Sequence, residues 1–162
     1  MKEEWLAQVQ EDILEPERPI CDPHHHLWDN DLNPYLLPEL LNDVTSGHHV
    51  VSTVFVECSS MYRADGPEQM RPVGETEFVN GVAAMTASGG YGEFRACQGI
   101  VSFADFTLGE GVGQVLDEHI RLSDRFRGIR HAGFLPDHFL PELGQLIEAM
   151  KGAGNMPQQR AA

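Results

Sequence analysis

The chain has 162 residues, 41% hydrophobic and 22% charged, which suits one globular domain with its own core. Its 25 acidic and 11 basic residues leave a formal net charge of −14, and such a field repels nucleic acid and anionic membrane surfaces. No apolar run approaches the ~20 residues of a membrane span, and the N-terminal segment Met-Lys-Glu-Glu-Trp-Leu-Ala-Gln has no secretory core, so a cytoplasmic location is expected.

In chain order, Trp5, Leu6, Val9 and Ile13 share one helical stripe, so residues 1–17 are expected to form a leader helix, stopped by Pro16 and Pro19. A single domain is expected over 18–151. It opens with a short buried strand over 18–26, a loop rich in Asn, Asp and Pro, and a helix over 36–44 ended by Ser46-Gly47. Val50 to Cys58 is a near-continuous apolar, β-branched run, the pattern of a parallel strand buried on both faces. A polar loop over 59–72 leads to a helix over 74–88, with Phe78, Val82 and Met85 at helical spacing. A third strand starts at Arg95, a helix follows over 112–122, and a fourth strand starts at Phe126. A last helix is expected over 140–150, and residues 152–162 form a frayed tail. The order β-α-β-α-β-α-β-α specifies a parallel sheet with helical crossovers. Cys21, Cys58 and Cys97 form no Cys-x-x-Cys and lie in or beside apolar runs, where small buried thiols are expected.

Chemistry concentrates in Asp22-Pro23-His24-His25-His26-Leu27-Trp28-Asp29. At the end of a strand, alternation sends His24 and His26 to one face and His25 to the other. Two imidazoles on one face can reach a single cation; the plainer alternative is three histidines capping a polar turn. This stretch resembles the first-strand His-x-His signature of the amidohydrolase superfamily, in the amidohydrolase-related branch that includes sugar-acid and dicarboxylate lactonases. The similarity continues through Val-Phe-Val-Glu-Cys (54–58), Gly-Glu-Thr-Glu-Phe-Val-Asn-Gly (74–81), Gly-Ile-Val-Ser-Phe-Ala-Asp (99–105) and Phe-Arg-Gly-Ile-Arg-His (126–131). The resemblance implies a (β/α)8 barrel and a divalent metal, zinc first, held by His24 and His26. It also implies hydrolysis of a lactone or other cyclic ester or amide of a small carboxylated or sugar-acid substrate. Related members decarboxylate with the same motif.

The carboxyl ends of parallel strands form the functional edge of such folds. Here they carry His24 and His26, Glu57 and Cys58, Ser102 to Asp105, and Arg130 with His131. Arg130 is the candidate clamp for a substrate carboxylate, the alternative being a solvated charge. Glu57 is the candidate partner that orients a histidine, the alternative being an ordinary strand-end charge. His48, His49, His119 and His138 read as surface residues, and Arg121, Arg125 and Arg127 as solvated charges. The segment beginning at Gly109 breaks the dinucleotide fingerprint, and neither a Walker A sequence nor a Gly-x-Ser-x-Gly elbow is present. A full barrel needs ~250 residues and eight strands. The chain supplies four and no counterpart of the family's later-strand histidine and aspartate, so it reads as the N-terminal half. It is expected to self-associate or to pair with the missing C-terminal half. The alternative is a catalytically inactive half-barrel serving as a binding or assembly module.

Overall fold

A computed structural model of the chain describes residues 8, 9, 11–30 and 34–131. The chain divides into two compact units, Met1–Arg130 and His131–Ala162, and the fold described below is that of the first. The helix expected over 140–150, the tail over 152–162 and His138 lie outside the described residues. Of the expected leader helix, residues 8, 9 and 11–17 are described, and they form turns and irregular chain. Pro16 and Pro19 disfavour helix at this end.

Four strands pair in the order β1-β2-β3-β4: β1 Ile20–His25, β2 Val50–Val56, β3 Arg95–Ser102 and β4 Phe126–Ile129. Every neighbouring pair is parallel, as the alternation of elements requires. Between the strands run α1 (Leu37–Val44), α2 (Val73–Ala87) and α3 (Val112–Leu122). At the start of α1, Glu39 accepts a hydrogen bond from the Leu36 amide at 2.9 Å, and Pro38 sits in the first turn, where its missing N–H is no loss.

The main core joins Leu37, Leu40 and Val44 of α1 and Val79, Val82 and Ala83 of α2 to Phe55 and Ile100 of the sheet. A second cluster joins Val73 of α2 and Val112 and Val115 of α3 to Ala104, with Ile129 packed against it. Phe55, Ile100 and Ser102 share one face of the sheet by alternation and register, and Ser102 meets Thr76 of α2 on that face. The three helices therefore cover one face. Val54, Val56 and Val101 point to the other. Ile129 packs toward the helices, because an extra residue at Arg127 shifts the β3–β4 register. The inward position opposite Val101 falls to Gly128.

Two irregularities matter for the site. From Asp22↔Thr53 to His25↔Phe55, β1 advances three residues against two, a bulge at Pro23-His24. Proline donates no ladder hydrogen bond and is tolerated at a bulge on an edge strand, and the Asp22 carboxylate closes the kink by accepting from the His24 amide at 3.0 Å. This edge position also corrects two expectations: β1 is largely exposed, not buried, and Cys21 is exposed and Cys58 half-buried, leaving Cys97 as the buried thiol. On β3, residues 95–99 span four positions against two on β2. Cys97, inside that bulge, has φ +53°.

Within α2, Met85 is 45% exposed, and the buried stripe instead runs through Glu75, Thr76, Val79, Val82, Ala83 and Thr86. Three of those six are polar and do not register in a hydrophobic pattern. Gly74 shows how closely the helix start meets the preceding loop, since a Cβ there would lie 2.6 Å from both Arg63 N and Met61 O. Gly81 on the same helix is exposed and faces open space. Gly74→Ala is therefore expected to lower stability by roughly 1–3 kcal/mol. Gly81→Ala should raise it by about 0.5–1 kcal/mol through helix propensity. Urea denaturation of both variants checks the opposed signs.

Candidate functional site

At the carboxyl end of β1, His24 and His26 turn to the same side and their Nε2 atoms lie 3.3 Å apart. Their rings meet edge to face at 5.0 Å between centroids. His26 is fixed from two directions. Its Nδ1–H donates to the Val56 carbonyl at the end of β2, at 2.8 Å, and its ring stacks on Trp28 at 5.6 Å and 28°. Trp28 is placed in turn by a two-way backbone bridge to Tyr35. A carbonyl only accepts, so Nδ1 carries the proton in the neutral ring and Nε2 presents a lone pair toward His24.

His25 points the other way, as alternation requires. It is 7% exposed and sits edge to face against Phe55. Its Nε2 is 2.8 Å from Thr53 Oγ1, which also accepts the amide of bulged Cys97 at 3.0 Å. Burial pulls its pKa down to about 4, so the ring is neutral at ordinary pH.

Glu57 and Arg130 lie at the same edge, but they engage each other. Arg130 Nε donates to Glu57 Oε1 at 2.7 Å and Nη2 to the Glu57 carbonyl at 2.6 Å. Much of the guanidinium fork expected to clamp a substrate carboxylate is thus spent on the protein's own acid, which is 3% exposed. Glu57, expected to orient a histidine, serves Arg130, and the carbonyl of the preceding residue, Val56, orients His26. Sequence inspection misses this acceptor because a main-chain carbonyl has no residue signature. His48 and His49 are exposed at the opposite edge, where the His49 carbonyl receives the Ile20 amide at the strand starts. Among the described residues no group of three His, Cys, Asp or Glu is placed to hold a metal ion.

His119 overturns its expected surface position: it is fully buried and stacks on Phe126 at 5.2 Å and 12°. Its Nε2–H donates to the Phe103 carbonyl at 3.0 Å, so Nδ1 accepts from Thr76 Oγ1 at 2.8 Å. Thr76 in turn accepts from Ser102 Oγ at 2.6 Å. A helical residue with hydrophobes at i−3 and i−4, here Leu116 and Val115, lies on a buried stripe, and that is the signal that marks His119. Burial lowers its pKa.

Two further groups stiffen the edge. Glu75, fully buried in the first turn of α2, accepts through Oε1 from the amides of Cys58 (3.0 Å) and Ser60 (2.8 Å), and burial raises its pKa. Burial also pushes the Cys58 thiol up to about 12, which removes it as a nucleophile at neutral pH.

A parallel α/β sheet with a histidine pair at its carboxyl edge is the class that fold and site define. A protein of Sinorhizobium fredii (strain NBRC 101917 / NGR234), described as uncharacterized protein y4mH, is 32% identical over 130 residues, covering 70% of this chain and 39% of the relative. The chain thus spans 39% of the length of this curated relative. No family model matches the chain, and no solved structure matches it.

Removing the guanidinium in Arg130→Met would leave the Glu57 carboxylate buried without its partner, an expected loss on the order of 3 kcal/mol. The Glu57→Gln/Arg130→Met double variant should lose much less, a difference that chemical denaturation measures. The buried neutral histidines predict a pH dependence. The unfolded chain takes up protons near pH 6.5, whereas folded His25 does so only near 4 and His119 also below its ordinary value. For these two groups the unfolded state binds more protons in that window, so their contribution to stability falls as pH drops from 7 toward 4, while the raised pKa of buried Glu75 works in the opposite direction. His25 contributes roughly 3 kcal/mol of that fall. Thermal midpoints of the chain and of His119→Gln between pH 7 and 5 check the direction, with a shallower fall in the variant.

Proposed function

We propose that this chain forms part of the wall of a (β/α)8-type barrel in a metal-dependent hydrolase of the amidohydrolase-related kind. Its substrate would be a lactone or other cyclic ester or amide of a small carboxylated molecule. Three features of the fold support the barrel: strand order without reversal, helices on one face only, and polar groups gathered at the carboxyl edge. A doubly wound sheet would reverse its strand order and carry helices on both faces.

The observation that carries the metal reading is the 3.3 Å between His24 Nε2 and His26 Nε2. Two nitrogens each ~2.0–2.1 Å from a tetrahedral zinc ion stand ~3.3–3.4 Å apart. The Val56 carbonyl holds His26 in the tautomer whose Nε2 is the ligating atom. His24 and His26 would hold the ion, and further ligands would come from outside the described residues. When bound, a divalent ion supplies a Lewis acid that polarises a carbonyl and activates water. The chain's own share is to orient the two imidazoles, Trp28 against the His26 ring and Asp22 against the His24 amide, and to keep His25 neutral and out of the way.

A second reading, a binding or assembly module without turnover, is favoured by the lack of a third ligand among the described residues. Calorimetry separates the two readings. Zinc should bind at one equivalent per chain, weakened at least about tenfold in His24→Ala and in His26→Ala but not in a His48→Ala/His49→Ala control. Metal-dependent hydrolysis of a sugar-acid lactone that fails in both single variants identifies the enzyme. Zinc binding without turnover identifies the module, and no zinc binding removes the metal reading.

A further inference from the structure

A cleft of about 490 Å3 opens at the carboxyl edge of the sheet, apart from the histidine pair, between the segment that follows β2 and the segment that follows β3. Its volume falls within the range of small-molecule sites. Tyr62, Pro72, Phe103 and Leu108 give it apolar and aromatic walls, and Gln69, Glu68, Arg71 and Asp105 give it polar groups. Among the described residues no carboxylate is paired with Arg71, although the chain carries 25 acidic residues against 11 basic ones. Asp105 uses Oδ1 to accept from the amide and hydroxyl of Thr107, at 2.8 and 2.7 Å, and Glu68 is exposed to solvent.

Backbone strain marks the stretch that leads into the cleft-lining Tyr62. Ser59 and Met61 both occupy left-handed conformations, φ +61° and +53°, which non-glycine residues rarely adopt. Such strain persists only where the surroundings over-determine it. Here the buried Glu75 carboxylate takes the Cys58 and Ser60 amides, Gly74 leaves no room beyond Met61 O and Arg63 N, and Arg63 is pinned by Glu77 and Glu118. The loop that ends in Tyr62 is thereby held rigid, the condition for a preorganised binding wall.

The geometry points to this cleft as a binding site for a small ring-bearing monocarboxylate, its carboxylate on Arg71 and its ring against Tyr62, Phe103 and Leu108. An arginine fork matches one carboxylate bidentately. Burial pushes the Tyr62 phenol up to about 12, so it stays neutral beside an anion.

The test uses the full chain, freed of metal with a chelator, and benzoate as the probe, followed by NMR titration. Benzoate should bind in the low-millimolar range expected of a fragment of this size, with shifts centred on Tyr62, Arg71, Phe103 and Leu108. Benzamide, isosteric and uncharged, should bind at least about fivefold more weakly. Arg71 is exposed, so Arg71→Gln should fold normally and weaken benzoate by at least about fivefold. Arg121→Gln, which leaves the cleft intact, and the His24→Ala/His26→Ala variant should keep the original affinity. Benzoate that does not saturate, a smaller loss in Arg71→Gln, or a loss in the histidine variant would overturn the assignment. None of these readouts depends on zinc, so the metal reading stands or falls separately.

Discussion

The candidate site depends on the three residues where β2 ends. The Val56 carbonyl holds His26. Glu57 receives Arg130 on both its carboxylate and its carbonyl, and its amide pairs with Val101 of β3. Cys58 gives its amide to Glu75 of α2 and its thiol to the Leu27 carbonyl. Three consecutive residues thereby tie the segment after β1, β3, α2 and Arg130 to one point. These bonds lie where burial strengthens each electrostatic contact and makes the loss of one partner expensive. The histidine pair is solvent-accessible, but its orientation is inherited from this buried anchor.

Much of the architecture was legible. The β-branched run from Val50 and the alternation of elements carried the parallel order β1-β2-β3-β4, because burial on a central strand leaves a continuous apolar signature. The separation of His24 and His26 from His25 followed from a period of two. What stayed hidden was polar. Glu75, Thr76 and His119 are buried through hydrogen bonds made across distances of 15 to 43 positions, and no local pattern encodes such partners. Arg130 and Glu57 were each found at the correct edge. Their preference for one another depends on a pairing 73 positions apart, so the roles assigned to them separately did not anticipate it.

The two bulges show how irregularity serves the sheet. Pro23 breaks the β1 ladder where breakage is tolerated, at an edge, and the kink leads directly into the histidines. The Cys97 bulge brings a main-chain amide onto Thr53 Oγ1, which supports His25 beneath the exposed pair. Both faces of the histidine run are thus shaped by departures from regular pairing.

The same separations carry a kinetic consequence. The clamp of Glu75 on Cys58 and Ser60 spans 17 and 15 positions, a short loop whose closure loses little entropy. The Arg130 contact with Glu57 spans 73. Contacts of long reach form slowly and govern the rate of assembly of parallel sheets. The β2–loop–α2 unit, strained turns included, is therefore built early, and the docking of Arg130 onto Glu57 comes late. A nascent chain would hold its cleft wall in place before its four-stranded edge is complete.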